Sequence, residues 1–305
     1  MTFATFIITY NRPELLRQTI FKLLEQTVQA EKILIVDNSS NTETRDMIAG
    51  LDLPHIEYLS TGSNLGPAGG AAVGIRTLAN QGFEAIHWQD DDDPPRSIRF
   101  NEKLLSVLTR SDDIGMVGSS GTRVDRRSGK LIRYKDRELT NKEVVEVDCV
   151  GGNQHIILRA EVFLKHGCHP ESDLFFGFED LDIGLKIRSK GYRILVPTDL
   201  LLGNRRHHNR LNLAEPTAAD AVAASENAGW RQYYSYRSLM YIYLHEQKLY
   251  LAAVQTAIRG VGKGFISLLK NNFTDATLAR YIVRGILDGS RKKLGFTVQP
   301  RAKYN

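Results

Sequence analysis

Along residues 1–89, short apolar runs alternate with longer stretches whose apolar positions recur every three or four residues. FATFIIT (3–9), KILIVD (32–37), HIEYLS (55–60) and FEAIHWQ (83–89) read as strands. Between them, RPELLRQTIFKLLEQT (12–27) sets Leu16, Ile20, Leu23 and Leu24 at helical spacing, with Pro13 suited to a first turn. NTETRDMIAGL (41–51) reads as a short helix and GPAGGAAVGIRTLANQG (66–82) as a Gly-rich helix start. Strands separated by helices predict an α/β fold: a Rossmann-like, mostly parallel central sheet flanked by helices, with right-handed crossovers. The pattern is less regular afterwards. DIGMVGSSG (113–121) and GKLIRYK (129–135) read as strands, and residues 146–167 as a strand, a Gly turn, a second strand and a short helix. FEDLDIGLKIRSKGYRILVP (178–197) reads as a helix carrying Leu181, Leu185 and Ile187, stopped by Gly191 and followed by a strand. From about residue 226 the pattern turns helical. Residues 229–247 read as one helix, and in YLAAVQTAIRGVGKGFISLLKN (250–271) Val254, Ile258, Val261, Phe265 and Leu269 share a face opposite Arg259, Lys263 and Lys270. Gly260, Gly262 and Gly264 weaken that helix. The expected division is therefore an α/β domain over 1–225 and a basic C-terminal helical region over 226–305.

In parallel sheets of this kind ligands sit outside the carboxyl ends of the strands. Three polar clusters fall there: TYNR (9–12), DNSS (37–40) and DDDD (90–93). Four adjacent aspartates repel one another, so a cation is the natural occupant. Mn2+ and Mg2+ prefer hard oxygen ligands and bind through one or two carboxylates plus substrate phosphates. On an extended chain Asp90 and Asp92 point to one side and can face one ion together. The plainer alternative is a solvated acidic loop, with Asp93 capping a helix before PPRSIRF.

Composition narrows the class. With 305 residues, 42% hydrophobic and 25% charged, the chain suits a soluble globular enzyme. Cys149 and Cys168 offer neither metal spacing nor a disulfide framework, which makes a reducing, cytoplasmic compartment the expectation. The first apolar run lacks a basic leader and reads as a strand, and no run is long enough to span a bilayer. The net charge of +5 is uneven. Residues 226–305 carry 13 Lys and Arg against 4 Asp and Glu, so the basic character belongs to the C-terminal quarter and does not imply nucleic-acid binding by the whole chain.

TYNR, VDNSS, NLGPAGG, WQDDDDPP and FFGFEDLDIGLKIRSKGY occur in an order that resembles family 2 glycosyltransferases of the GT-A fold, most of all the bacterial galactofuranosyl- and rhamnosyltransferases. The resemblance covers roughly residues 3 to 210. It implies inverting transfer from a nucleotide-diphosphate sugar with a divalent metal. It further implies donor contacts at Thr9, Asn11, Arg12, Asp37, Asn38, Asn64, Gly66, Gly69, Asp90 and Asp91. Asp37 would accept from the imide N–H of uracil or thymine, which favours a UDP- or dTDP-sugar and leaves UDP-galactofuranose and dTDP-rhamnose open. Asp90 and Asp92 match the metal-binding Asp pair, joined by His207 or His208 from LLLGNRRHHNR. Glu179 and Asp180 match the acidic pair near the acceptor, the second being the usual general base. Gly151, Gly152 and Trp88 fall on the acceptor side. Gln89 departs from the pattern, since an apolar residue commonly precedes the acids.

The acceptor expected from this resemblance is a glycan or lipid-linked precursor. The C-terminal helices lie outside the core transfer fold. Their apolar faces are expected to pack on the catalytic domain. The rival is peripheral docking on an anionic membrane at the inner face of the plasma membrane. The tyrosine-rich YYSYRSLMYIYLH is open to three readings, interfacial, core or a homo-oligomer contact. Other functions in view are a nucleotidyltransferase, though TYNRPE lacks its Gly-rich basic loop, and a non-catalytic membrane- or nucleic-acid-binding protein acting through the basic tail.

Overall fold

The computed structural model describes residues 1–151, 155–211 and 229–299. An eight-stranded sheet forms its centre, in the order β3-β2-β1-β4-β9-β5-β10-β8. The strands are β1 (Phe3–Thr9), β2 (Lys32–Asp37), β3 (Ile56–Ser60), β4 (Ala85–Asp90), β5 (Ile114–Gly118), β8 (Val144–Val147), β9 (Ile156–Arg159) and β10 (Arg193–Pro197). Only β9 and β8 run against the others. A separate hairpin pairs β6 (Arg123–Asp125) with β7 (Lys130–Ile132). The helices of the first half are α1 (Pro13–Leu24), α2 (Glu43–Leu51), α3 (Gly66–Asn80) and α4 (Phe100–Leu108).

Both faces of the sheet are covered, which is why β1 is buried along its whole length and reads as a continuous apolar run. Alternate residues go to opposite sides. Ile7, Ile33 and Ile35 pack with Leu16 and Ile20 of α1, whereas Phe6, Ile8, Leu34 and Val36 pack with Ala71 and Ile75 of α3. The glycines of α3 set how closely it approaches β1. A Cβ at Gly74 would lie 2.4 Å from the Phe6 ring, so only glycine fits at that crossing.

In the second half come α5 (Asp136–Leu139), α6 (Ala160–His166), α7 (Glu179–Ser189) and α8 (Thr198–His207). Helix α8 takes up LLLGNRRH, the larger part of LLLGNRRHHNR, a stretch to which the sequence pattern assigned no element. Leu201, Asn204 and Arg205 are buried on one side of it, and Asn204 donates to the Ser119 carbonyl at 3.1 Å.

The C-terminal helices are α9 (Gly229–Tyr241), followed by one π-helical turn (Ile242–Glu246), α10 (Tyr250–Lys270) and α11 (Thr277–Ser290). The proposed boundary at 225/226 falls outside the described residues. Helix α9 is joined firmly to the sheet domain. Tyr233, Tyr234 and Arg237 are fully buried, and Arg237 donates to the carbonyls of Leu174 and Gly295 at 2.6 and 2.7 Å. The Tyr243 hydroxyl donates to the Gly129 carbonyl at 2.9 Å. The tyrosine-rich stretch is therefore core. Helix α10 packs through its small residues, Ala252, Ala253, Thr256, Gly260 and Gly264. The face holding Val254, Ile258, Val261, Phe265 and Leu269 is exposed, which corrects the expectation that it packs on the catalytic domain. Among the described residues no helix is long and apolar enough to cross a membrane.

Candidate active site

Strand register brings the polar clusters to one level. Thr9 pairs with Asp37, Asp37 with Ser60 and Ile8 with Asp90. A cavity of about 510 Å³ opens over these strand ends. It is lined by Asp90, Asp91 and Asp92 and by Glu179 and Asp180 at the first turn of α7.

The acidic turn is held by neutral donors and one cation. The strand ends at Asp90, and the chain turns through Asp91 and Asp92. The expected alternation of an extended chain therefore does not apply, and all three carboxylates face the cavity. Asp91 is fully buried. It accepts from the Thr9 hydroxyl at 2.7 Å and pairs with Arg12 Nη2 at 2.8 Å, while Arg12 Nη1 reaches Asp92 at 2.5 Å. The Thr19 hydroxyl donates to the Asp91 carbonyl at 2.7 Å. Gln89, the residue out of pattern, has a structural task. It is buried, and its Nε2 donates to the carbonyls of Asp90 and Asp93 at 2.6 and 2.7 Å, lacing the turn from beneath. Burial, with repulsion from Asp92 and Asp91, pushes Asp90 up to about 7 despite the attraction of Arg12. Burial pushes Asp91 up to about 6 against the pull of Arg12 and Thr9. A site with this much stored repulsion favours a cation.

Asp93 turns away from the cavity and pairs with Arg96 at 2.7 Å. No helix starts beside it, because α4 begins at Phe100. His207 and His208 sit exposed at the end of α8, near enough to Asp93 to attract its charge. Neither lines the cavity with Asp90 and Asp92. Among the described residues no group of three or more His, Cys, Asp and Glu is arranged to hold a metal. The donor set fits a cation held by one or two carboxylates, Asp90 foremost, and completed by phosphate oxygens.

In the α7 pair, Glu179 Oε2 has no hydrogen-bond partner among the described residues. Burial first, then repulsion from Asp180 and Asp90, raises the Glu179 carboxyl well above the usual range. That repulsion also marks the two acidic groups as parts of one field. Asp180 accepts from the Leu181 N–H at 2.8 Å and lies against the buried Cys149 thiol, whose ionisation it opposes.

The nucleotide-side residues divide. Asp37 is fully buried, does not line the cavity, and already accepts from the Ser39 N–H at 2.8 Å and the Tyr58 hydroxyl at 2.9 Å. Asn38, the residue after β2, opens on the cavity. Its Nδ2 donates to the Gly66 carbonyl at 3.1 Å, and Asn64 Oδ1 accepts from the Gly66 N–H at 2.9 Å. Gly66 is required at this turn. Its φ is +69°, and a Cβ would meet the Phe175 carbonyl oxygen at 2.0 Å. Gly69 packs against Leu65 and does not line the cavity. Asn11, at φ +54°, lies beside it and not on its wall; its N–H donates to Ser39 Oγ at 2.8 Å. Trp88 lines the cavity, stacked on Phe6 with ring centroids 6.2 Å apart. Gly151 does not line it, and Gly152 lies outside the described residues.

Sequence reasoning missed a second wall. Trp230 and Arg231, from the first turn of α9, join Phe175 and Phe176 at the cavity. The Phe176 and Trp230 rings lie 5.0 Å apart, and the Arg231 guanidinium sits 5.3 Å from the Trp230 centroid. FFGFED was visible as a motif, but nothing local in GWRQYY says that this turn folds back onto the sheet. His155 was missed as well. It lines the cavity, is 4% exposed, and keeps both ring nitrogens unpartnered among the described residues.

Comparison with known proteins bears on the family and the fold. The sequence profile described as "Glycosyl transferase family 2" matches residues 5–157. Galactofuranosyltransferase GlfT1 of Mycolicibacterium smegmatis is 31% identical over 100 residues, 33% of this chain and 33% of that protein. GlfT1 of Mycobacterium tuberculosis is 31% identical over 114 residues, 36% of this chain and 37% of its own length. The chain thus aligns with about a third of the length of the curated relatives it matches. Among solved structures, the mannosyltransferase PcManGT from Pyrobaculum calidifontis, in complex with GDP-Man and Mn2+, superposes with a TM-score of 0.54 at 14% identity, covering 96% of this chain and 88% of that one. S. aureus TarS 1-349 superposes with a TM-score of 0.53 at 12% identity, covering 97% and 93%. At these identities the likeness concerns the fold, which is GT-A.

Proposed function

The chain belongs to glycosyl transferase family 2, and on that premise we propose that it moves a sugar, with inversion, from a UDP- or dTDP-sugar to a hydroxyl of a glycan or lipid-linked acceptor. UDP-galactofuranose is the favoured donor, because the aligned third of the chain is similar to two galactofuranosyltransferases. The observation that carries the reading is that two acidic groups line one cavity: Asp90–Asp92 at the end of β4, and Glu179–Asp180 at the start of α7. An inverting displacement needs two such groups, with leaving-group stabilisation on one side of the sugar and a proton acceptor on the other.

In this mechanism Asp90 and Asp92 hold a divalent cation, Mn2+ or Mg2+, which supplies charge neutralisation at the donor diphosphate when bound. Thr9, Arg12, Gln89 and Thr19 keep the acidic turn in place. Asn38 and Asn64 hold the Gly66 turn beside the donor, and Asp37 fixes the end of β2 through Ser39 and Tyr58. Of the α7 pair, Glu179 is the less suited to carry charge, because burial and then repulsion from Asp180 raise its carboxyl. Asp180 is then the base that takes the proton of the acceptor hydroxyl. Trp230 and Phe176 offer aromatic faces for the acceptor sugar, with Arg231 at the rim.

Two experiments test this. Calorimetric titration of UDP, dTDP and GDP, each with and without Mn2+, should show metal-dependent binding of UDP that Asp90→Ala/Asp92→Ala abolishes. Binding of GDP alone would reject the donor class. Asp180→Asn should lower kcat by roughly 10²–10⁴-fold, the usual contribution of a general base, while leaving UDP affinity in place. Unchanged turnover would remove Asp180 from the role.

A further inference from the structure

Helix α10 turns its large side chains to solvent. Leu251, Val254, Ile258, Val261, Phe265 and Leu269 are each 48–65% exposed. At 3.6 residues per turn they fall within about 80° of arc. The opposite side is fixed by close contact. A Cβ at Gly260 would come 2.6 Å from the Tyr236 ring, and one at Gly264 would come 3.1 Å from Ala279 Cα. The helix therefore cannot rotate to bury its apolar stripe without opening the packing behind it. A stripe of this length on a protein surface marks a contact with something.

Charge identifies the kind of partner. No acidic residue occurs from Gln247 to Thr274. The outer face of α11 alternates Arg280, Val283, Arg284 and Leu287, and Arg291, Lys292 and Lys293 follow it; all are exposed. Among the described residues only Arg284 of these cations has an acidic partner, Asp288 at 3.5 Å. An open groove of about 670 Å³ is lined by Leu268 of α10, next to the stripe residue Leu269, and by Val283, Leu287, Asp288 and Arg291 of α11, so the basic face of α11 borders α10 on this side. A second copy is the poorer fit, since a two-fold contact would set this row of cations against itself with Asp275 as the one exposed acid of the hairpin.

We propose that the α10–α11 hairpin lies on an anionic bilayer surface. The α10 stripe enters the boundary between headgroups and acyl chains, and the α11 cations meet lipid phosphates. The attachment is peripheral and leaves the cavity of the transferase domain free.

The test is co-sedimentation of the full chain with vesicles of phosphatidylcholine, and of phosphatidylcholine mixed with phosphatidylglycerol, alongside sedimentation velocity without lipid. The wild type should bind the anionic vesicles, less so at high salt, and scarcely bind the neutral ones. Ile258→Glu/Phe265→Glu should abolish binding. Arg280→Ser/Arg291→Ser should weaken it by about 25-fold, or about fivefold for each charge lost at ~1 kcal/mol. The charge variant alters only exposed side chains, so it keeps the test decisive even if the glutamates disturb folding, which circular dichroism reports. Equal binding to both vesicles, or none to either, overturns the proposal. So does a wild-type dimer that Ile258→Glu/Phe265→Glu dissociates, since that result assigns the stripe to a second copy.

Discussion

Replacing Gln89 by leucine tests how the acidic turn is held. The side chain is 1% exposed and its Nε2 donates to two carbonyls, Asp90 at 2.6 Å and Asp93 at 2.7 Å. Leucine fills similar volume but donates to neither. Each stranded acceptor costs about 1–3 kcal/mol where water cannot reach it. Asp90 and Asp93 are only half-buried, so the lower end applies. Removing Gln89 Oε1, a buried atom without a partner among the described residues, gives part of this back. The net loss is about 1 kcal/mol, a fall in Tm of roughly 1–2 °C for a chain of this size. Because the lacing positions Asp90, the loss should show in Mn2+-dependent UDP binding as well as in melting. Differential scanning calorimetry with and without Mn2+ and UDP measures both. A variant that melts with the wild type and binds UDP with unchanged metal dependence would show that the turn is held by Thr9, Thr19 and Arg12 alone.

Three further outcomes are expected. Arg12→Met removes the cation that pairs with Asp91 and Asp92, so Mn2+ alone should bind about tenfold more tightly, ~1.4 kcal/mol, while UDP binding weakens; calorimetric titration of each separately reads the two signs. Gly74→Ala drives a Cβ to 2.4 Å from the Phe6 ring, and overpacking of this kind should cost about 1–3 kcal/mol, seen as a lower urea midpoint with unchanged slope. His87 is buried, and burial takes its pKa from 6.5 to about 3. The unfolded chain therefore takes up the proton first, and stability is full above pH 6.5 and falls as pH drops towards 3, by up to ~4–5 kcal/mol at about 1.4 kcal/mol per unit; His87→Phe should flatten that part of the acid limb in a urea-by-pH series.

The strands and helices of residues 1–90 were legible because the central sheet is covered on both sides. A doubly buried parallel strand must be apolar throughout, and KILIVD, for example, matches β2 residue for residue. Order along the sheet was not legible in the same way. Strand β9 inserts antiparallel between β4 and β5, a pairing between segments far apart in sequence. The ends of β1, β2 and β4 could be named as a site from topology alone. Which carboxylate faces which way could not, because that depends on where β4 stops. The chain turns at Asp91, one residue earlier than an alternating strand would require, and Asp91 becomes the buried partner of Thr9 and Arg12. His207 and His208 illustrate the same limit, since one unrecognised helix, α8, carries them to the side of Asp93.

Helix α10 shows why an amphipathic pattern gives a helix but not its orientation. Spacing groups Val254, Ile258, Val261, Phe265 and Leu269 on one face, and the ordinary inference is that such a face is buried. The opposite face holds Ala252, Ala253, Thr256, Gly260 and Gly264. Small residues allow two backbones to approach, and packing at that distance against Tyr236, Ala279 and Ile282 gives dense contact without a large apolar area. Turning the large residues inward would require the neighbours to retreat by the length of a side chain. That would break the contacts of α9 and α11, whose own glycines, Gly285 and Gly289, sit against the carbonyls of Tyr233 and Arg237. Arg237 in turn holds the Leu174 carbonyl beside Phe175 at the cavity. The C-terminal helices are thus coupled to the site through α9. Deleting residues 229–299 would remove Trp230 and Arg231 from the cavity and uncover Leu174 and Phe175. Loss of donor binding in such a truncation would report loss of the fold, and point variants on the outer face of α10 are the perturbation that separates surface docking from catalysis.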